Sequence, residues 1–176
     1  LGTVCDVVPM TGLNRALVCQ GLKIMGGRRN IGLAALADVA NIQQRCDAYH
    51  LGFVLGPRVN AGGRVGEADL GARLLTSEDP EEARRLAERL DRHNRERQQI
   101  EGGVLEGAIA QIEAAGGPGA LAFAAGEGWH PGVIGVAAGR LRERYDRPAI
   151  VVALADGIGK ASCRSALGVD IGAAVI

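Results

Sequence analysis

No run of eighteen apolar residues occurs in this 176-residue chain; the longest, Ala149–Ala155, has the length of a strand. The sequence therefore carries no membrane-spanning helix. Cysteine is scarce and unpatterned. Cys5, Cys19, Cys46 and Cys163 form no CxxC pair and no paired-histidine spacing accompanies them, which argues against a zinc site and, at this length, against a disulfide framework. They read as buried free thiols in a reducing cytoplasm. Net charge is absent as well: Lys+Arg 20 balance Asp+Glu 20, so the global signature of a nucleic-acid binder is missing. Lysine is nearly missing, with only Lys23 and Lys160. Arginine suits planar, bidentate phosphate recognition, although an Ala/Gly/Arg-rich coding bias produces the same composition. No secretory signal is present, and the chain starts at Leu1 and stops at Ile176 as a piece cut from a longer protein does.

What is present is an ordinary globular composition, 47% hydrophobic and 23% charged. Charge is distributed unevenly. Residues 1–77 hold eight basic and five acidic side chains, residues 78–120 six and ten, and residues 121–176 six and five. Two slightly basic flanks around an acidic middle are compatible with a local basic groove.

Along the chain, Thr3–Pro9 reads as a short strand with Asp6 embedded in it. Thr11 caps a helix over Gly12–Met25 that Gly26-Gly27 end, and further short helices follow at Leu33–Ala40, Ala48–Leu55 and Glu67–Leu75. Gly56–Arg64 contains too many breakers for a regular element and reads as a loop. Asp79, Pro80 and Glu82 form a helix start. Beyond it, a partly apolar stripe with Ala83, Leu86, Ala87 and Leu90 predicts a helix of about thirty residues, or ~45 Å. Gly102-Gly103 mark a bend or a close contact in it, and Gly116-Gly117-Pro118-Gly119 close it. The last third reads strand (Ala120–Ala125), helix (Pro131–Tyr145), strand (Ala149–Leu154), strand (Gly159–Ser165), then a helix capped by Asp170. This order predicts a small α/β domain with a mixed sheet.

Four places hold chemistry-bearing residues. Asp6 at a strand end offers a carboxylate to a hard metal ion, or is a turn residue. Gly56–Arg64 sets Arg58, Asn60 and Arg64 among glycines that admit a phosphate to the backbone, or is a tight turn with exposed arginines. His130, after Trp129 and before a helix start, can donate to an anion at the helix N-terminus, or simply cap it. Lys160, Ser162 and Arg164 alternate along a strand and share a face, as a phosphate pocket or as a solvent-facing edge. Together these favour phosphate-ester chemistry.

Asp-Val-Val-Pro-Met (6–10), Gly-Pro-Arg-Val-Asn-Ala-Gly-Gly-Arg (56–64), Gly-Trp-His-Pro-Gly-Val-Ile-Gly (128–135) and Gly-Lys-Ala-Ser-Cys-Arg-Ser (159–165) stand in an order that resembles RecJ-type exonucleases of the DHH phosphoesterase superfamily. The resemblance covers essentially the whole chain. It implies single-strand-specific 5′→3′ degradation of DNA in recombination and repair by a cytoplasmic enzyme using Mn²⁺ or Mg²⁺ in a two-metal centre. It also implies single-stranded DNA with a 5′-phosphate as partner, and a helicase or single-strand-binding protein as associates. Residue by residue, it implies metal ligation by Asp6, DNA-backbone contacts by Arg58, Asn60 and Arg64, a groove-facing His130, and a 5′-phosphate pocket at Ser162 and Arg164 with Lys160 on the same face. The implied fold is α/β. Residues 1–78 are the C-terminal part of a DHH domain, short helices behind one strand. Residues 79–116 are a long connector helix, and residues 117–176 a truncated DHH-associated substrate-binding domain.

The Asp-His-His triplet and the glycine-rich His motif of that family are absent from the chain. One carboxylate cannot hold two metal ions, so the chain alone is expected to be inactive as a nuclease. The alternatives are a non-catalytic nucleic-acid-binding module, or a DHH phosphoesterase acting on short oligonucleotides.

Overall fold

A computed structural model describes residues 1–175. The chain divides into two units, Leu1–Glu96 and Arg97–Ile176, and one 35-residue helix, α6 (Pro80–Ala114), contributes residues to both. No helix among the described residues is long and apolar enough to cross a membrane.

The first unit is helical throughout: α1 (Gly2–Cys5), α2 (Gly12–Gly26), α3 (Ile31–Val39), a π-helical segment (His50–Leu55), α4 (Gly56–Val65), α5 (Leu70–Thr76) and the start of α6. The strand expected over Thr3–Pro9 is not formed. Val4 lies in a single helical turn, Asp6 is its C-cap, and Val7 follows at φ 53°. A strand needs a ladder partner for its backbone groups. Here Cys5 and Asp6 instead donate to the Leu1 and Gly2 carbonyls. Asn30 caps α3 by accepting the Leu33 N–H at 2.8 Å.

The loop expected at Gly56–Arg64 is also not formed; the segment is helix α4. Pro57 stands in its first turn, directly after the π-helical segment. The glycines serve packing: a Cβ at Gly56 would lie 2.3 Å from Cys5 Sγ, and one at Gly62 would lie 2.7 Å from the Glu67 carbonyl oxygen. The core gathers Leu36, Leu51, Leu55, Leu70 and Leu74 against Ala83, Leu86, Ala87 and Leu90 of α6. The latter four follow the i, i+3, i+4, i+7 spacing of one helical face. Burial of each leucine contributes about 1.5–3 kcal/mol.

Free thiols are confirmed, but not as a buried set: Cys19 is exposed and Cys5, Cys46 and Cys163 are half-buried. Cys5 donates its thiol to the Leu51 carbonyl at 3.4 Å, and burial pushes its pKa up.

The second unit holds a three-stranded mixed sheet in the order β1 (Ala122–Glu127), β2 (Ala149–Ala155), β3 (Ile158–Arg164). β1 and β2 run parallel, β2 and β3 antiparallel. Helix α7 (Ile134–Tyr145) crosses from β1 to β2 and buries Ile134, Ala137, Ala138 and Leu141. Edge strand β1 is covered in part by Gln111, whose carboxamide donates to the Ala125 carbonyl at 2.9 Å and accepts its N–H at 3.1 Å. The helix expected from Asp170 forms as α8 (Ile171–Val175), with the Asp170 carboxylate accepting the Ala173 N–H; Ile176 lies outside the described residues. Gly102 and Gly103 face open space within an unbroken α6.

Candidate functional site

In the second unit, β3 pairs Lys160 with Ala153, Ser162 with Val151 and Arg164 with Ala149. All three partners are buried, and paired residues share a sheet face. Ser162 and Arg164 therefore stand on the face that carries α7. They reach its first turn because residue 135 is glycine: a Cβ there would sit 3.1 Å from both Ser162 Oγ and an Arg164 terminal nitrogen. The Arg164 guanidinium is oriented by donating to the Cys163 carbonyl at 2.8 Å and to Ser162 Oγ at 3.4 Å. Accepting that bond leaves the Ser162 hydroxyl proton for another acceptor. Val133, the N-cap of α7, makes no side-chain cap to the first-turn amides. A hydroxyl, a guanidinium and a helix N-terminus thus converge, which suits an anion of tetrahedral geometry. Lys160 lies two residues further along the strand and is exposed.

His130 does not stand at the helix start. Pro131–Val133 form a turn and α7 begins at Ile134, because the Val133 N–H returns to the His130 carbonyl at 3.1 Å and closes the chain on itself. The ring caps that turn. Its Nδ1 accepts the Gly132 N–H at 3.0 Å, which leaves the neutral ring's proton on Nε2. Trp129 lies over a surface with no side chain: a Cβ at Gly126 would fall 2.3 Å from its ring, and one at Gly107 3.3 Å from it.

In the first unit, the three α4 residues separate. Arg58 is turned inward, donating from Nε to Asp91 Oδ1 at 2.9 Å and from a terminal nitrogen to the Val54 carbonyl at 2.7 Å. Asp91, buried on α6, also receives Arg95 at 2.9 Å. Asn60 and Arg64, four residues apart, share the exposed side. Asp6 is exposed at the end of one helical turn. Among the described residues, no three His, Cys, Asp or Glu side chains gather where they could hold a metal ion. The described residues therefore bring together no donor set for a two-metal centre. A cleft of about 780 Å³ beside α2 and α3 is lined mainly by side chains such as Leu17, Leu22, Met25 and Ile42, and by none of the candidate residues.

Sequence reasoning missed Gly135, whose role shows only once β3 folds beside it. It missed Asp91 too, whose i, i+4 spacing to Arg95 was visible but whose partner Arg58 is remote in sequence. The buried Glu101, held by Arg97 at 2.5 Å and by Arg140 at 2.6 Å, also carried no sequence signal beyond its spacing to Arg97.

Comparison with known proteins agrees with this fold. Residues 116–176 match the DHHA1 domain family. The chain is 43% identical, over 97% of its length, to the single-stranded-DNA-specific exonuclease RecJ of Escherichia coli, and 36% identical over 97% to that of Bacillus subtilis. It spans 31% and 22% of those relatives. The structure of Thermus thermophilus RecJ in complex with Mg²⁺ superposes with a TM-score of 0.88 at 34% identity, covering 99% of this chain and 27% of that one. The same protein in complex with Mn²⁺ gives 0.85. Over the stretch it spans, between about a fifth and a third of the length of such relatives, the chain is similar to RecJ, and its residues 116–176 match the DHHA1 domain family.

Proposed function

We propose that this chain is the part of a 5′→3′ single-stranded-DNA exonuclease that receives the 5′-phosphate of the strand. The observation that carries the reading is the convergence of Ser162 Oγ and the Arg164 guanidinium on Gly135 at the N-terminus of α7. A terminal phosphate carries more charge than an internal diester, and a hydroxyl, a guanidinium and helix amides discriminate by that charge. Residues 117–176 are the substrate-binding domain in this reading, 79–116 the connector, and 1–78 part of the DHH domain. Asn60 and Arg64 contact the strand's backbone, and Arg58 positions α4 for them through Asp91. His130 offers Nε2–H to a phosphate oxygen, and Lys160 adds charge at the mouth of the pocket.

Hydrolysis using Mn²⁺ or Mg²⁺, and a role in recombination and repair, belong in this reading to the enzyme of which the chain is part. Asp6 supplies at most one ligand, so the chain alone is inactive as a nuclease. Mn²⁺-dependent degradation of single-stranded DNA by the highly purified chain would contradict that.

The pocket is tested by Arg164→Ala. Binding of a 5′-phosphorylated strand weakens by about 1.5–3 kcal/mol, the range for a hydrogen bond to a charged group, while a 5′-hydroxyl strand is barely affected. Equal losses for both strands would make Arg164 a general backbone contact or a structural residue.

A further inference from the structure

Tyr49 and Phe53 stack with ring centroids 5.3 Å apart and planes 26° apart, yet they are 62% and 73% exposed. The pair is held in place. The His50 ring stands edge-on to Tyr49 at 6.0 Å, and Asp47 Oδ1 fixes that ring through Nδ1 at 2.7 Å. Backbone and ring hydrogen bonds from His50 hold the Asp47 carboxyl below its ordinary range, so it keeps this role.

The helical path runs without a break from Ala48 through the π segment to Val65. Asn60 and Arg64, seven and eleven residues beyond Phe53 on this path, are exposed as the two rings are. Leu51, Leu55 and Gly62 hold the opposite side in the core. Two flat apolar faces and, farther along, a carboxamide and a guanidinium thus form one exposed stripe about 22 Å long.

We propose that this stripe is a stacking platform for single-stranded nucleic acid, in which an unpaired base lies on the Tyr49–Phe53 pair and the backbone continues past Asn60 and Arg64. Aromatic faces accept any base, so the contact is sequence-tolerant, as degradation of arbitrary strands requires. At the end of the stripe away from the Asp47 carboxylate, the Arg64 guanidinium and the Asn60 carboxamide are donors suited to phosphodiester oxygens. The inference rests on the single-strand reading above but uses side chains outside the phosphate pocket.

The test is fluorescence-anisotropy binding of a labelled 5′-phosphorylated oligothymidylate and of the same strand with abasic sites beyond the first nucleotide. The 176-residue chain binds the base-bearing strand about tenfold tighter. Phe53→Ala and Tyr49→Ala each reduce that ratio to about twofold, Phe53→Trp keeps it, and circular-dichroism melting verifies that the variants fold. Equal binding of the two strands by the unaltered chain, with a 5′-phosphate preference intact, overturns the platform and leaves the pocket standing. No binding of any strand overturns both. A dimer in sedimentation that Phe53→Ala dissolves, with DNA binding unchanged, gives the rings to a second copy of the chain and overturns the platform.

Discussion

Arg58 and Asn60 lie two residues apart on one helix and answer to different surroundings. Arg58 is tied to Asp91 and the Val54 carbonyl with 19% of its side chain exposed, whereas Asn60 faces solvent. Removing Arg58 leaves Asp91 to Arg95 alone and takes the donor from the Val54 carbonyl, a loss of about 1.5–3 kcal/mol, the range for a hydrogen bond to a charged group. Arg58→Ala is therefore expected to lower the urea midpoint by that equivalent, and Asn60→Ala to change stability by no more than about 0.5 kcal/mol. An Arg58→Ala chain with unaltered stability and lost DNA binding would show that the guanidinium serves the substrate and not the fold. The sequence marked both residues as substrate contacts because arginine and asparagine on a glycine-rich stretch suit phosphate. It gave no sign of the inward turn, since Asp91 is thirty-three positions away. Ser162 and Arg164 were more legible, because alternation on a strand fixes which side chains share a face whatever the strand packs against.

At the scale of elements, the parts that periodicity dictates were legible. The α6 stripe, the α7 segment and the three strands follow from apolar spacing and from Gly/Pro punctuation. Gly56–Arg64 was not, because a glycine that breaks a helix and one that admits a neighbour look the same until the neighbour is in place. That neighbour is Cys5 Sγ for Gly56 and the Glu67 carbonyl for Gly62. The Thr3–Pro9 valines were likewise read by propensity, which an available ladder partner decides.

The glycines can be sorted by experiment. In α3, a Cβ at Gly32 would fall 1.8 Å from the Leu74 carbonyl oxygen, a backbone atom that cannot yield without moving α5. Gly32→Ala is expected to destabilise by about 2–3 kcal/mol. Gly103→Ala, in open space within α6, is expected to stabilise by roughly 1 kcal/mol. Thermal melts of the two variants decide it, and a neutral Gly32→Ala would mean that α3 and α5 do not approach as described.

At the scale of the whole molecule, zero net charge concealed a local organisation. The anion-suited groups sit at the first turn of α7, Asp91 and Glu101 are neutralised by arginines within their own units, and α2 leaves Leu13, Leu17 and Ile24 more than half exposed. The chain spans between 22% and 31% of the length of the RecJ relatives compared, and among its described residues no metal-holding cluster forms. The contribution we propose for it is recognition of the strand end. The most direct measurement is fluorescence anisotropy of a short single-stranded oligonucleotide on the unaltered chain, with a 5′-phosphate and with a 5′-hydroxyl, at two salt concentrations. The account predicts binding roughly ten- to 150-fold tighter for the phosphorylated strand, the ~1.5–3 kcal/mol assigned to Arg164, and weaker binding of both strands at the higher salt. Equal affinity for the two strands at both salt concentrations would contradict it.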